Sequence, residues 1–252
     1  NVGANTASQQ VVIDTEGPEI TAISIETDNS SVDIDFGEAV YSTDGGSGDL
    51  AKEDFKLKIT GGVATVDATP ASISKSGTVY TLVLTLTGPV PNGLEVLTVE
   101  PVDDSIYDVA GNEALGGGSF DSISLVDQTG PTAVPTITAI EVDTGKNDDY
   151  ITSDDKLTVK GEVTGLGLNE KVEVSNGGTW EKADVTGNSW KLDDLDTHTA
   201  TFTYDVRVTD DAGNVGANTA SQQVVIDTEG PEITAISIET DNSSVDIDFG
   251  EA

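Results

Sequence analysis

Residues 200–214 read ATFTYDVRVTDDAGN, and this stretch decides the fold. From Ala200 to Val208 apolar and polar side chains alternate, which is the period of a strand with one buried face. The strand runs straight into Asp210-Asp211-Ala212-Gly213-Asn214, a cluster of turn-forming residues. The same turn pattern stands at Asp108-Val109-Ala110-Gly111-Asn112. Beyond each turn lies a short Asp-x-x-Gly-Pro motif, at Asp127–Pro131 and Asp227–Pro231, and a further copy opens the chain at Asp14–Pro18.

These motifs divide the chain. The spacings between the three Asp-x-x-Gly-Pro copies are 113 and 100 residues. Residues 1–39 are identical to residues 214–252, so the full period is 213. The chain is thus one repeat of two related modules plus a 39-residue overlap. Module one is 14–127 and module two is 128–227. Residues 1–13 read as the last strand of a preceding module, and 228–252 as the first strands of the next copy of module one. The incomplete ends and the absence of Met suggest a window of a longer array; strand donation between neighbouring chains is the alternative.

Both modules read as strands throughout. In module one the alternating segments are Ile20–Ile25, Val32–Phe36, Phe55–Ile59, Tyr80–Leu86, Leu94–Val99 and Phe120–Val126. In module two they are Ile137–Val142, Leu157–Val163, Val172–Val174, Trp190–Leu192, Ala200–Val208 and Val224–Ile226. Clusters of Gly, Asn, Asp and Ser separate them, and no segment keeps a helical period. About seven strands in ~100 residues predict an all-β fold of tandem immunoglobulin-like β-sandwich modules in an elongated array.

Composition narrows the function. There are 46 acidic residues against 11 basic ones in 252, a net charge of −35. Such a charge repels nucleic acid and anionic membrane surfaces. No apolar run has the length of a membrane-spanning helix. The chain has no Cys and one His, which removes disulfides, thiol chemistry and multi-His zinc sites.

The Asp-x-Ala-Gly-Asn turn, a last strand ending in Ile-Asp-Thr and the following Gly-Pro resemble bacterial Ig-like tandem repeats of giant secreted adhesins and surface-layer proteins. Module two resembles the extender type, in Thr136–Thr138, Asp143–Gly145, Asp149–Asp154 and Thr209–Asn214. Module one resembles swimming-motility-associated surface repeats, in Phe36–Val40, Asp54-Phe55, Tyr80–Leu82 and Ile106–Asn112. The resemblance implies a bacterial cell-surface or secreted location, a non-enzymatic role and Ca²⁺ between modules.

The acids point the same way. Asp outnumbers Glu and gathers at predicted turns. A single Asp in a turn needs no ligand, because its carboxylate bonds the local backbone. Several together repel, and Ca²⁺ would order them with its 6–8 oxygen ligands. In a seven-strand sandwich the F–G turn lies where the chain comes in and the A–B turn where it leaves. Each junction should then gather a linker Asp, the A–B turn before it and the F–G turn after it. The candidates are Asp14 with Asp108; Asp127 with Asp28, Asp210 and Asp211; and Asp227 with Asp143, Asp148, Asp149, Asp154 and Asp155.

Other motifs carry less. Asp33–Gly37 lacks the third ligand position and the distal Glu of an EF-hand. Gly45–Leu50 reads as a flexible loop, and His198 as a turn residue before strand F. Trp180 and Trp190 suit a sandwich core better than a sugar platform. The expected function is a structural extender, as adhesin shaft or filament, with neighbouring modules and possibly neighbouring chains as its partners. The alternative is an adhesive module that binds glycan or protein.

Overall fold

The computed structural model describes residues 13–114, 121–240 and 243–250. The strand expected over 1–13 lies, except for Ile13, outside the described residues, as does Phe120. The chain divides into two compact units, 1–129 and 130–252.

Among the described residues the first unit has nine strands. They are β1 (Ala22–Ile25), β2 (Ser31–Asp35), β3 (Phe55–Thr60), β4 (Thr65–Val66), β5 (Ser72–Ser76), β6 (Val79–Val83), β7 (Leu86–Thr87), β8 (Val96–Pro101) and β9 (Asp121–Ser124). One sheet has the order β1-β2-β6-β5, and the other β3-β8-β9. With these strands lettered A to G, the sheets are ABED and CFG, the constant-type immunoglobulin arrangement. The β4–β7 pair is an addition to it. Alternation fixes which side faces inward. Val32 and Ile34 of β2, Tyr80 and Leu82 of β6, Leu57 of β3, and Leu97 and Val99 of β8 all join one core. Phe36, Phe55 and Tyr80 pack with ring centroids 5.9–6.4 Å apart.

The second unit carries β10 (Val134–Glu141), β11 (Ile151–Thr152), β12 (Thr158–Thr164), β13 (Lys171–Ser175), β14 (Glu181–Lys182), β15 (Asp184–Thr186), β16 (Ser189–Asp193), β17 (Phe202–Thr209) and β18 (Ala220–Ile226). Its sheets are β10-β12-β16-β15 and β11-β18-β17-β13-β14. These are again ABED and a GFC sheet, here extended by β11 running parallel to β18. The opening stretch behaves as its alternation predicts. Tyr204, Val206 and Val208 are buried in the core with Val159, Val172, Val174 and Val224. Thr203, Asp205 and Arg207 stand on the opposite face of β17. A final hairpin, β19 (Ile233–Ile238) with β20 (Val245–Phe249), forms a separate two-stranded sheet.

The all-β sandwich expected from the sequence is the fold observed. Two details differ. The segment Tyr80–Leu86 is not one strand: β6 ends at Val83, and Leu86 pairs with Val66 in another sheet. Trp180 is not a core residue. It is 37% exposed and stacks on Arg207, whose guanidinium carbon lies 4.1 Å from the ring centroid. Trp190 is in the core at 2% exposed, with its indole over Gly161 and its Nε1 donating to the Glu162 carbonyl at 3.1 Å.

Candidate metal centre at the module poles

The two Asp-x-Ala-Gly-Asn segments fold into the same turn. In each, the Asp Oδ1 accepts the backbone N–H of the Asn four residues on, at 2.8 Å for both Asp108–Asn112 and Asp210–Asn214. Each Oδ2 accepts the Asn side-chain amide, at 2.8 and 3.0 Å. Gly111 and Gly213 take φ of +88° and +90°, a region that side chains rarely adopt. That conformation explains the Gly of the motif, and the paired amide explains its Asn. Asp108 is fully buried, and burial alone would raise its pKa. Hydrogen bonds from Asn112, Ala110 and Gly111 outweigh burial and hold the carboxyl below the usual range.

This turn lies where the chain comes into each sandwich. A Cβ on Gly17 would sit 1.9 Å from the Glu113 carbonyl oxygen, and one on Gly130 would sit 2.5 Å from that of Val215. The Gly of Gly-Pro is therefore a close-approach residue, which lets the incoming strand lie against the F–G turn. In the first unit this incoming pole is acidic. Asp14, Glu16, Glu19, Glu38 and Glu113 line a groove of about 680 Å³. Partial burial first, then the charges of Asp108 and Asp14, push the Glu38 carboxyl up. Glu229, Glu232 and Gly250 line a corresponding groove of about 450 Å³ beside the last hairpin. The sequence reading missed Glu38 and Glu113, because neither belongs to an Asp cluster; their places in the chain bring them beside Asp14.

At the outgoing pole the A–B turn grips the departing strand. In the first unit Asn29, buried and with φ of +56°, donates its amide to the Val126 carbonyl at 2.9 Å and accepts the Val126 N–H at 2.8 Å. Gln128 donates to the Thr27 carbonyl at 3.3 Å. Asp28 lies next to this clasp, and its carboxylate accepts the Ser30 N–H at 2.9 Å. Bonds to Ser30 lower its pKa. Asp127 accepts the Thr129 N–H at 2.8 Å, and Asp14 and Asp227 make the same i to i+2 bond at 3.2 and 3.1 Å. All three linker Asp residues are thus turn formers as well as candidate ligands.

In the second unit the corresponding loop gathers five candidates. The Asp227 N–H donates to the Thr152 carbonyl at 2.9 Å, and the Thr152 hydroxyl donates to the Val142 carbonyl at 2.7 Å. Asp143 Oδ2 accepts the N–H groups of Asp148 and Tyr150 at 2.7 and 3.3 Å. Its Oδ1 is buried and has no hydrogen-bond partner. Val142, Asp148 and Tyr150 take φ of +63°, +68° and +59°. For Val this is a strained conformation. Asp149 and Asp154 bond to the backbone N–H of Ile151 and Lys156. Asp155 offers its carbonyl to the His198 N–H at 2.9 Å. Asp211 is exposed on the F–G turn.

His198 is a structural residue here. Its ring stacks on Phe202 at 3.7 Å, and its Nε2 lies 2.8 Å from the buried Asp194. Asp194 also accepts the Tyr204 hydroxyl at 2.7 Å and the Asp196 N–H at 2.9 Å. Burial, followed by the bond to Asp194 and the charges of Asp194 and Asp196, raises the Tyr204 hydroxyl pKa far above its usual range.

The donor set fits a hard cation, since it is carboxylate and carbonyl oxygen throughout. Among the described residues, no three acidic or His side chains converge into a group that could hold a metal ion. Within each unit the linker Asp follows the strand that the A–B turn grips at the outgoing pole, and in the first unit Glu38 feels the charges of Asp108 and Asp14 at the incoming one.

No protein-family model matches the sequence, and no curated protein matches it. Among solved structures the chain is similar to the N-terminal part of the bacterial S-layer protein SbsC, at 17% identity and a TM-score of 0.32. That match covers 83% of this chain and 44% of the other. A biofilm-associated protein BSP domain matches at 13% identity and 0.24, with coverage of 84% and 28%. The Ig1–Ig3 ectodomain of mouse nectin-like molecule 4 matches at 15% identity and 0.24, with coverage of 83% and 64%. The chain spans less than two thirds of each.

Proposed function

We propose that this chain is a structural extender segment of a long bacterial cell-surface or extracellular protein, an adhesin shaft or filament, stiffened by Ca²⁺ at its module junctions. The observation that carries the calcium reading is Asp143. A buried carboxylate oxygen without a partner costs free energy, and here it lies in a loop with a left-handed Val142. A cation bound there would offset both costs. Asp143 and Asp227, helped by Asp148, Asp149, Asp154 and Asp155, would hold it on the outgoing side. Asp127 and Asp28 would do so for the first unit. Asp210 and Asp211, and Asp14 with Asp108, would contribute from the incoming side.

The extender reading is supported by how the chain threads each sandwich. It comes in beside the F–G turn and leaves beside the A–B turn, at the other end of the first strand. Modules threaded this way add length with each copy, and an exact 39-residue repeat suits that task.

Melting the 252-residue chain with and without chelator tests the reading. Ca²⁺ at ~100 times its Kd would add about 2.7 kcal/mol to a site's unit, roughly 10–20 °C in Tm for a domain of this size. Asp143→Ala should remove the shift of the second unit. An identical melt in calcium and chelator would overturn the proposal.

A further inference from the structure

Trp180 is the one exposed aromatic ring among the described residues of the two sandwiches. A tight turn puts it there. Gly177 takes φ of +95°, and the Ser175 hydroxyl donates to the Gly178 carbonyl at 3.2 Å, so the chain folds back from β13. Trp180 then stacks on Arg207, the single Arg of the chain. Arg207 is itself fixed: its Nε and Nη2 lie 2.9 and 2.8 Å from Glu173 Oε2, and Lys171 Nζ lies 2.8 Å from Glu173 Oε1. Burial alone would raise the Glu173 carboxyl, but the bonds from Lys171 and Arg207 outweigh it and hold it below the usual range. The guanidinium covers one side of the indole. The exposed 37% of Trp180 therefore belongs to the other face and the edges.

The ring is framed by polar groups with a basic excess. Val172 and Val174 of β13 are in the core, so Lys171 and Glu173 stand on the outer face beside Arg207. Lys182 is paired opposite Glu173 and shares that face, and it makes no ion pair among the described residues. Asp205, which accepts the Ser221 hydroxyl, is the second carboxylate there. Three cations thus face two carboxylates, in a chain of 46 acids and 11 bases. A protein-binding patch has an apolar core of several residues. Here one flat ring stands among hydrogen-bonding groups, which complements a pyranose, apolar on its C–H face and hydroxylated at its rim. We propose that Trp180 and Lys182 form a binding site for a carboxylated sugar, a uronate or sialate residue of a glycan. The pyranose lies on the open face of Trp180, and its carboxylate meets the Lys182 ammonium. Arg207 is a positioning residue: it holds the ring in place before the sugar arrives, which lowers the ordering cost of binding. The site needs no calcium at the module poles.

The test titrates the full 252-residue chain with oligosaccharides ending in glucuronate, galacturonate or sialate, and with their neutral parents. Chelator is present throughout, so that no Ca²⁺ bridges sugar and protein carboxylates. Calorimetry reads affinity. Tryptophan emission reads the site, because Trp190 is buried in the core and Trp180 meets the sugar. At least one acidic sugar should bind, shift the emission and weaken as salt rises. Its neutral parent should bind more weakly. Trp180→Ala and Lys182→Glu should each lower affinity by roughly tenfold or more, as loss of an anchor does. Both positions are exposed, so the melting temperature should stay near that of wild type. Arg207→Lys should weaken binding and redden the emission of the free protein as the ring swings into water. The proposal is overturned if no acidic sugar binds, if a neutral parent binds as tightly as its acidic form, if polyglutamate binds as tightly as the sugars, or if Trp180→Ala keeps wild-type affinity.

Discussion

Asp108 and Asp210 occupy one position in two modules and make the same two bonds to an Asn four residues on. Replacing either Asp with Ala would remove the acceptor of both bonds from that Asn. The cost is about 1–3 kcal/mol in the affected unit, measurable by urea or thermal unfolding. The pH dependence has a definite sign. The Asp108 carboxyl is depressed in the folded chain, so its stabilisation is present above the unfolded value of ~3.9 and is lost as pH falls through the lower folded value. Glu38 is raised, so its contribution is complete below its ordinary value and is lost as pH rises through the folded one. Glu38→Gln should therefore raise the melting temperature of the first unit at neutral pH and leave it unchanged in acid. Calcium bound at that pole would shrink the difference. The turn itself was legible in the letters, because Gly and Asn mark it. Glu38 was not, because its acidic neighbours come from Asp14 and Asp108, far away in sequence.

Elements with one apolar face declared themselves, and those without did not. Val32–Phe36 and Ala200–Val208 alternate and form β2 and β17. Ser72–Ser76 has a single apolar residue, Ile73, and was missed; it is the edge strand β5, paired among the described residues with β6 alone. Glu95 was equally hidden. It is fully buried, yet its carboxylate accepts the N–H groups of Val63, Ala64 and Asn92, at 2.7, 3.0 and 3.0 Å. An acidic letter gives no sign that it will tie a loop from inside. Two substitutions test the elements. Asn29→Ala should cost about 1–3 kcal/mol, because it removes both bonds that hold the Val126 backbone to the A–B turn. Gly161→Ala places a Cβ 1.9 Å from the Thr136 carbonyl oxygen and 2.3 Å from the Trp190 ring. Overpacking of that kind costs typically ~1–3 kcal/mol and should alter Trp190 fluorescence.

At the scale of the molecule, the repeat gave the order of the modules and their sandwich class. It did not say which way any carboxylate points. Most of the linker and loop Asp residues turned out to bond the backbone N–H two residues on, as turn-forming Asp residues do. The net charge of −35 then has two effects on a tandem array. It would keep the proposed array solvated, and it would set the modules against each other wherever acids met without a cation. Short linkers between small interfaces flex by default. Small-angle X-ray scattering of the chain in calcium and in chelator measures this directly. The account predicts a longer maximum dimension and a narrower distance distribution in calcium, both reverting when Asp127 and Asp211 are changed to Ala. Superimposable curves in calcium and chelator would contradict it.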